Sequence, residues 1–354
     1  MAYQNVGTPR FYISYGDWWR SIGSSVPREQ TISPHETIEH LGKGTATFTS
    51  VSAIPPSSSA IIGINWFAAL NHNVTSGFGF RCKHWISGTQ QDIGLEGSWD
   101  TMVNLDIGGS WALPYPSYKG FSLGTWNTPW TDEGTNSVHV GLMGVSGNEP
   151  DTLFDIGCWI YGGYYDMPHS PDLNLTMTRE YGGIKTLETK GGASLSNAFY
   201  TKPPAWGDAG AWELYTGTPT NQAPSRSGRR VWDLSFSYLQ DSDVFGSNQS
   251  LSHWEGTTFQ PIYPEGTGLP DTGDWTSDNG TPAGFNYNIL TDDNFYSQVW
   301  HKTLGGTLPF IFQPDSSNNN PDQFAICKFK DNSLKATQSA FNVYDISLSI
   351  EEVW

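Results

Sequence analysis

Carboxylates are the most plentiful reactive groups in this sequence, with 35 Asp and Glu against 18 Lys and Arg. Cleaving a glycosidic bond takes two of them roughly 5–10 Å apart, one held protonated. Glu96 and Asp100, Asp132 and Glu133, and Glu351 and Glu352 are close in sequence, but neighbours in a strand point to opposite faces. They read as solvated loop and strand-edge carboxylates. His72 stands between Asn71 and Asn73 at a strand end, where its ring fixes the turn through a backbone carbonyl or meets a sugar hydroxyl. His84, His139 and His169 lack the His or Cys partner spacing of a zinc site. Asp315–Asp322 gathers hard oxygen ligands without the spacing of a calcium loop, and reads as a turn. The chain has no G-x-S-x-G elbow, no Walker loop and no G-x-G-x-x-G between a strand and a helix. The sequence thus nominates no catalytic residue, no metal ligand and no cofactor, and the expected protein is not an enzyme.

Aromatic surface is abundant instead, with 16 Trp, 16 Tyr and 18 Phe, enough to fill a core and still supply contact faces. Trp111, Tyr115, Tyr118, Trp126 and Trp130 fall in a stretch broken by Gly and Pro, and Trp254, Tyr263 and Phe285 fall in a long loop of about 246–290. These eight are the candidate interface or glycan contacts, because a loop of that length is usually functional or ordered by a neighbour. The net charge of −17 repels phosphates and anionic membranes, so nucleic acid is not an expected partner. Cys82, Cys158 and Cys327 are odd in number and widely spaced, and read as reduced core thiols. Met1–Asn5 lacks a basic and apolar leader, and no stretch approaches transmembrane length, so a soluble chain without membrane insertion is expected.

The elements that must position these residues are mainly β. Thirty-nine Gly and 22 Pro punctuate short apolar runs, and helical periodicity is convincing in one place only. Strands are expected at Arg10–Tyr15, Ile61–Leu70, Phe78–Trp85, Val138–Val145 and Phe154–Tyr161. A further one is expected at Leu173–Thr178, where Leu173, Leu175 and Met177 alternate with polar residues. Lys185–Asn197 reads as strand–turn–strand around Gly191-Gly192, and Val231–Leu239 as a strand with Trp232, Leu234, Phe236 and Tyr238 on one face. At 354 residues two domains are the natural expectation. Polar stretches at 24–34 and 217–228 suggest that 36–216 is a β-sandwich inserted into a second domain, built from 1–35 and 226–354 as a β-barrel with one helix. A simple split near 220 is the alternative.

The C-terminal part reads as one continuous unit. Thr291 or Asp292 caps a helix over 292–304 that puts Phe295, Tyr296, Val299 and Trp300 on one face, and Gly305-Gly306 stops it. Strands at Leu308–Phe312 and Phe324–Phe329 follow, then a ladder of Tyr344, Ile346, Leu348 and Ile350, with Trp354 extending the pattern. This order resembles the barrel-plus-helix hub domain of distal and minor tail proteins of tailed bacteriophages. The matching stretches are Gly305-Gly306, Pro309-Phe310-Ile311-Phe312-Gln313-Pro314 and Leu348-Ser349-Ile350-Glu351-Glu352-Val353-Trp354, in about a third of the chain. The run from Ile61–Leu70 through Asn71-His72-Asn73 to Phe78–Trp85 resembles the galactose-binding-like jelly roll of phage structural proteins and carbohydrate-binding modules. The resemblances imply a structural component of the virion, at the tail tip or distal tail, assembled in the host cytoplasm. Its partners would be further copies of itself in a ring, other tail proteins and a host-surface glycan. The alternatives are a carbohydrate-binding receptor-binding protein and a polysaccharide depolymerase.

Overall fold

The computed structural model describes residues 7–23, 26, 30–32, 39–41, 46–47, 64–72, 78–86, 89–91, 103–104, 120–130, 135–144, 154–180, 184–198, 212, 228–245, 289–290, 292–341 and 343–353. Within these, only the backbone is described for 39–41, 46–47, 71–72, 78–86, 89–91, 103–104, 120, 126–130, 135–144, 154–156, 184–185, 197–198, 241 and 321.

The chain opens with β1 (Arg10–Ser14) and α1 (Tyr15–Ser21). Then come β2 (Glu39–Leu41), β3 (Ala46–Thr47), β4 (Ile64–His72), β5 (Phe78–Ile86), β6 (Thr89–Gln91), β7 (Val103–Asn104), β8 (Gly120–Trp130) and β9 (Thr135–Gly144). The middle holds β10 (Phe154–Ile156), β11 (Cys158–Asp166), β12 (Thr176–Glu180), β13 (Ile184–Glu188) and β14 (Ser194–Ala198). The last part holds β15 (Arg229–Gln240), α2 (Asp241–Val244), a π-helix (Tyr296–Trp300), β16 (Phe310–Gln313), β17 (Ala325–Phe329), β18 (Ala336–Ala340) and β19 (Val343–Glu352). The protein is mainly β, with a large antiparallel sheet and few helices.

Ten strands form that sheet in the order β12-β15-β19-β17-β16-β1-β11-β4-β8, with β18 also paired to β19. β1 lies near its middle, with Phe11 opposite Tyr165 of β11 on one side and Phe312 of β16 on the other. The sheet therefore runs unbroken from strands of the 36–216 segment into strands of the 226–354 segment. A second sheet has the order β3-β9-β5-β6, with β7 on β5. β2 pairs β10, and β13 pairs β14.

Period-two alternation explains why the middle strands are apolar on both faces. On one face Phe11, Ile13, Phe310, Phe312, Ala325 and Cys327 join a core with Trp232, Leu234, Phe236, Leu348 and Ile350. On the other Tyr12, Ile311 and Ile326 join Trp66, Ala68, Leu70 and Ile160. The sheet also curls: Trp232 of β15 meets Phe312 of β16 edge-on at 5.3 Å, although β19 and β17 lie between them in pairing order. The first face is thereby wrapped around its own core.

Three sequence expectations need correction. The first strand ends at Ser14, one residue short of the expected Tyr15, because Ser14 caps α1: its Oγ accepts from the Asp17 N–H at 3.2 Å. Ser-x-x-Asp is a helix-start signal, and it lay within the stretch read only as the end of a strand. The C-terminal helix is shorter than 292–304 and is not capped as expected. Asn294 Oδ1 accepts from the Ser297 N–H at 2.9 Å, and the turns close through wide bonds, His301 N–H to Tyr296 O at 2.7 Å and Gly305 N–H to Trp300 O at 2.9 Å. Thr291 lies outside the described residues. The stop does fall where expected: Gly305 and Gly306 have φ of +65° and +84°, and a Cβ on Gly306 would sit 2.7 Å from the Phe329 Cβ. Phe295 and Val299 are buried in the core as their spacing indicates. Leu173 and Met177, which alternate with polar residues in the expected strand, are exposed: the strand here is β12, Thr176–Glu180, at one end of the large sheet, and Leu173 precedes it.

Candidate functional site

None of the eight nominated contact residues has a described side chain. Trp111, Tyr115, Tyr118, Trp254, Tyr263 and Phe285 lie outside the described residues, and Trp126 and Trp130 are placed only as backbone positions of β8. Among the described residues no group of His, Cys, Asp and Glu is arranged to hold a metal ion. Cys158 and Cys327 are buried thiols that form no disulfide, and burial pushes the Cys327 thiol well up, which keeps it unreactive.

The sheet does build a polar, solvent-facing surface that the sequence reading missed. Along β15 the odd-numbered side chains Asp233, Ser235 and Ser237 face away from the first core, as do Asp345, Ser347 and Ser349 of β19. They are cross-linked: Ser349 Oγ donates to Asp233 Oδ1 at 2.7 Å, Ser235 and Ser347 hydroxyls lie 3.5 Å apart, and Ser237 Oγ donates to Asp172 Oδ2 at 2.8 Å. At one end Asp345 Oδ1 accepts from the Tyr238 N–H at 3.3 Å and from Ser339 Oγ at 3.2 Å. The result is a face of short hydroxyls and carboxylates.

Tyr238 was expected inside, in step with Trp232, Leu234 and Phe236, and is instead 81% exposed. The pairing of β15 with β19 slips between Phe236 and Leu239, and Tyr238 sits in this bulge at φ +65°. Leu239 takes the inward place and is buried. The bulge thus aims an aromatic ring out beside the Asp345 and Ser339 hydrogen bonds. Strict alternation hides such a shift; the cue is positional strain, which a sequence does not display.

Two further polar arrangements are buried in the fold. Glu352, read as a solvated strand-edge carboxylate, is buried: it accepts from Arg230 Nη2 at 2.9 Å and from Arg230 Nε at 3.1 Å. Arg230 also donates to the carbonyls of Asp322 and Phe324 at 2.6 and 2.8 Å, tying β15 and β19 to the segment before β17. Its partner lies 122 residues away, so no local signal reveals the pair. Lys302 is 1% exposed. Its Nζ donates to Gln298 Oε1 at 2.7 Å and stands 5.1 Å from the Tyr15 ring and 5.6 Å from the Trp18 ring. Burial pulls its pKa down to about 7, against a smaller upward pull from Asp293. It joins the end of the π-helix to α1.

Compared with protein-family models, with curated proteins and with solved structures, the chain matches none. Its functional reading therefore rests on the residues and their arrangement.

Proposed function

We propose that this chain is a non-enzymatic structural protein of a tailed-bacteriophage virion, a tail-tip or distal-tail component that assembles with copies of itself and with neighbouring tail proteins. The observation that carries this reading is that the stretches behind the resemblance belong to one packed unit. The Gly305-Gly306 stop packs on Phe329, β16 lies beside β1, and the Leu348–Glu352 end of β19 pairs with both β15 and β17. In this reading the β-rich segment around β5 and β9 is a galactose-binding-like sandwich, the curled sheet around Phe11 and Phe312 is the barrel-like hub, and both work by burying apolar surface against neighbours. The protein acts in the virion tail and joins it in the host cytoplasm. Gold-labelled antibody against the chain, applied to virions from the culture that expresses it, should mark the distal end of the tail. Label on the capsid, or on no particle, would overturn the proposal.

A second reading is favoured by one specific feature, the exposed Tyr238 ring beside a face of serine hydroxyls and carboxylates. Aromatic faces next to hydrogen-bonding side chains suit sugar rings, which supports reading the chain as a carbohydrate-binding receptor-binding protein. A glycan array with the intact chain and with Tyr238→Ala separates the readings: binding abolished by the substitution favours the second. Turnover of a polysaccharide would replace both with a depolymerase.

A further inference from the structure

Among the described residues two aromatic rings are largely exposed, Tyr238 at 81% and Phe341 at 66%; the other large apolar side chains on the surface are Ile, Leu or Met. The two are far apart in the chain, and the topology brings them to one end of the same three strands. Val343 of β19 pairs with Gln240 of β15 on one side and with Ala340 of β18 on the other. Phe341 follows Ala340 directly, and Tyr238 stands two residues before Gln240, held out by the bulge at φ +65°. Two strand spacings separate the β15 and β18 backbones, roughly 10 Å. Asp345 lies between them: its Oδ1 accepts from the Tyr238 N–H at 3.3 Å and from Ser339 Oγ of β18 at 3.2 Å. Thr337, also exposed, stands opposite Asp345 on β18, and residues directly opposite share a face of the sheet.

The chemistry of this end of the sheet selects its ligand. Hydroxyls donate and accept, carboxylates accept, and aromatic rings offer apolar faces. A molecule that satisfies all three carries many hydroxyls around apolar ring faces, which is the chemistry of a sugar. A span of two strand spacings is too long for one sugar ring and suits a short chain of them. Charge narrows the class further. The charged side chains that hydrogen-bond along this face are the carboxylates of Asp172, Asp233 and Asp345, on a chain of net charge −17, so acidic sugars are repelled. We propose that Tyr238 and Phe341 are the two stacking platforms of one site for a neutral oligosaccharide, which lies across β15, β19 and β18 with its hydroxyls on Asp345, Ser339 and Thr337. This rests on the carbohydrate-binding reading and adds to it a second platform and the class of sugar.

The test applies the intact chain, Tyr238→Ala and Phe341→Ala to an array of neutral, uronic-acid and sulfated sugars, in lengths from one ring to several, and then titrates the best neutral oligosaccharide into each protein. Both side chains are exposed, so neither variant should melt below the parent. The intact chain should hold neutral oligosaccharides in preference to single sugars and to acidic ones. Each substitution should raise the apparent Kd for the neutral oligosaccharide at least roughly tenfold, because each removes one stacked ring. An intact chain that binds no sugar overturns the carbohydrate-binding reading along with this site. Sugar binding that Tyr238→Ala abolishes and Phe341→Ala leaves unchanged overturns the two-platform site alone, as does a preference for acidic sugars.

Discussion

Arg230 and Glu352 are a buried ion pair whose remaining donors reach two backbone carbonyls. Such a pair adds little over an apolar isostere, whereas removing one partner strands the other charge in the core. Glu352→Ala should therefore lower the unfolding free energy by about 3–5 kcal/mol, and Arg230→Met/Glu352→Leu should recover most of the loss. Denaturant unfolding of the three proteins checks this, and an additive double variant would refute it. Lys302 makes a pH-dependent prediction. Burial lowers its pKa from 10.5 to about 7 in the fold, so between those values the unfolded chain holds the proton and the folded one does not. Stability then rises with pH across that window, and the cost of burying the charge is full below about 7. Asp17 acts at lower pH: burial raises its carboxyl to about 6, against hydrogen bonds from Ser14 and the Ile32 N–H, so its contribution is lost as pH climbs from 3.8 through that value. Melting temperatures should rise from pH 7 to pH 10 for the parent, and Lys302→Met should flatten that rise while stabilising the protein at pH 7. Neither group was legible in the sequence. Lys302 follows a helix face whose apolar members were recognised, but its cage comes from Tyr15 and Trp18, far away in the chain.

Elements were read well where one period held throughout. Tyr344, Ile346, Leu348 and Ile350 are buried in β19 as their alternation demands, and Lys185–Asn197 folds into the expected hairpin around Gly191-Gly192. Errors arise where a local device breaks the period. In β15 the bulge after Phe236 turns Tyr238 out and Leu239 in, and after β1 a serine cap converts an aromatic strand end into α1. A non-glycine residue held at positive φ costs on the order of 1–3 kcal/mol. Tyr238→Gly relieves that cost at an 81% exposed position, so it should leave stability unchanged or raise it by about 1 kcal/mol. Two residues earlier, Phe236→Ala empties a fully buried site in the core and should cost about 3–5 kcal/mol. Thermal unfolding of the two variants checks the bulge directly: a Tyr238→Gly protein as unstable as Phe236→Ala would mean that the tyrosine packs inside.

At the scale of the whole molecule, strand identity was more legible than strand partnership. The polar stretches at 24–34 and 217–228 look like boundaries, and composition alone favours an inserted domain between them. Hydrogen-bond partners leave no such trace: β1 and β11 are more than a hundred residues apart, yet Arg10 pairs with Asp166 along the ladder and binds its carboxylate twice, at 2.6 and 2.7 Å. Tyr12 in turn donates to Gln313 Oε1 at 2.6 Å, so one short strand links both segments through side chains as well as backbone. A fragment of 36–216 would expose the edge of β11 that β1 covers. It would also strip Tyr12, Ile311, Phe324 and Ile326 from the core that holds Trp66, Leu70 and Ile160. Unpaired edges and opened cores favour aggregation over a cooperative fold. The isolated fragment should therefore melt without a sharp transition and bind a hydrophobic dye, while a co-expressed fragment of 226–354 extended at its start by 7–23 should restore cooperative unfolding. Calorimetry on each preparation decides the matter, and a fragment of 36–216 that unfolds sharply by itself would show that the shared sheet is a docking contact between two independent domains.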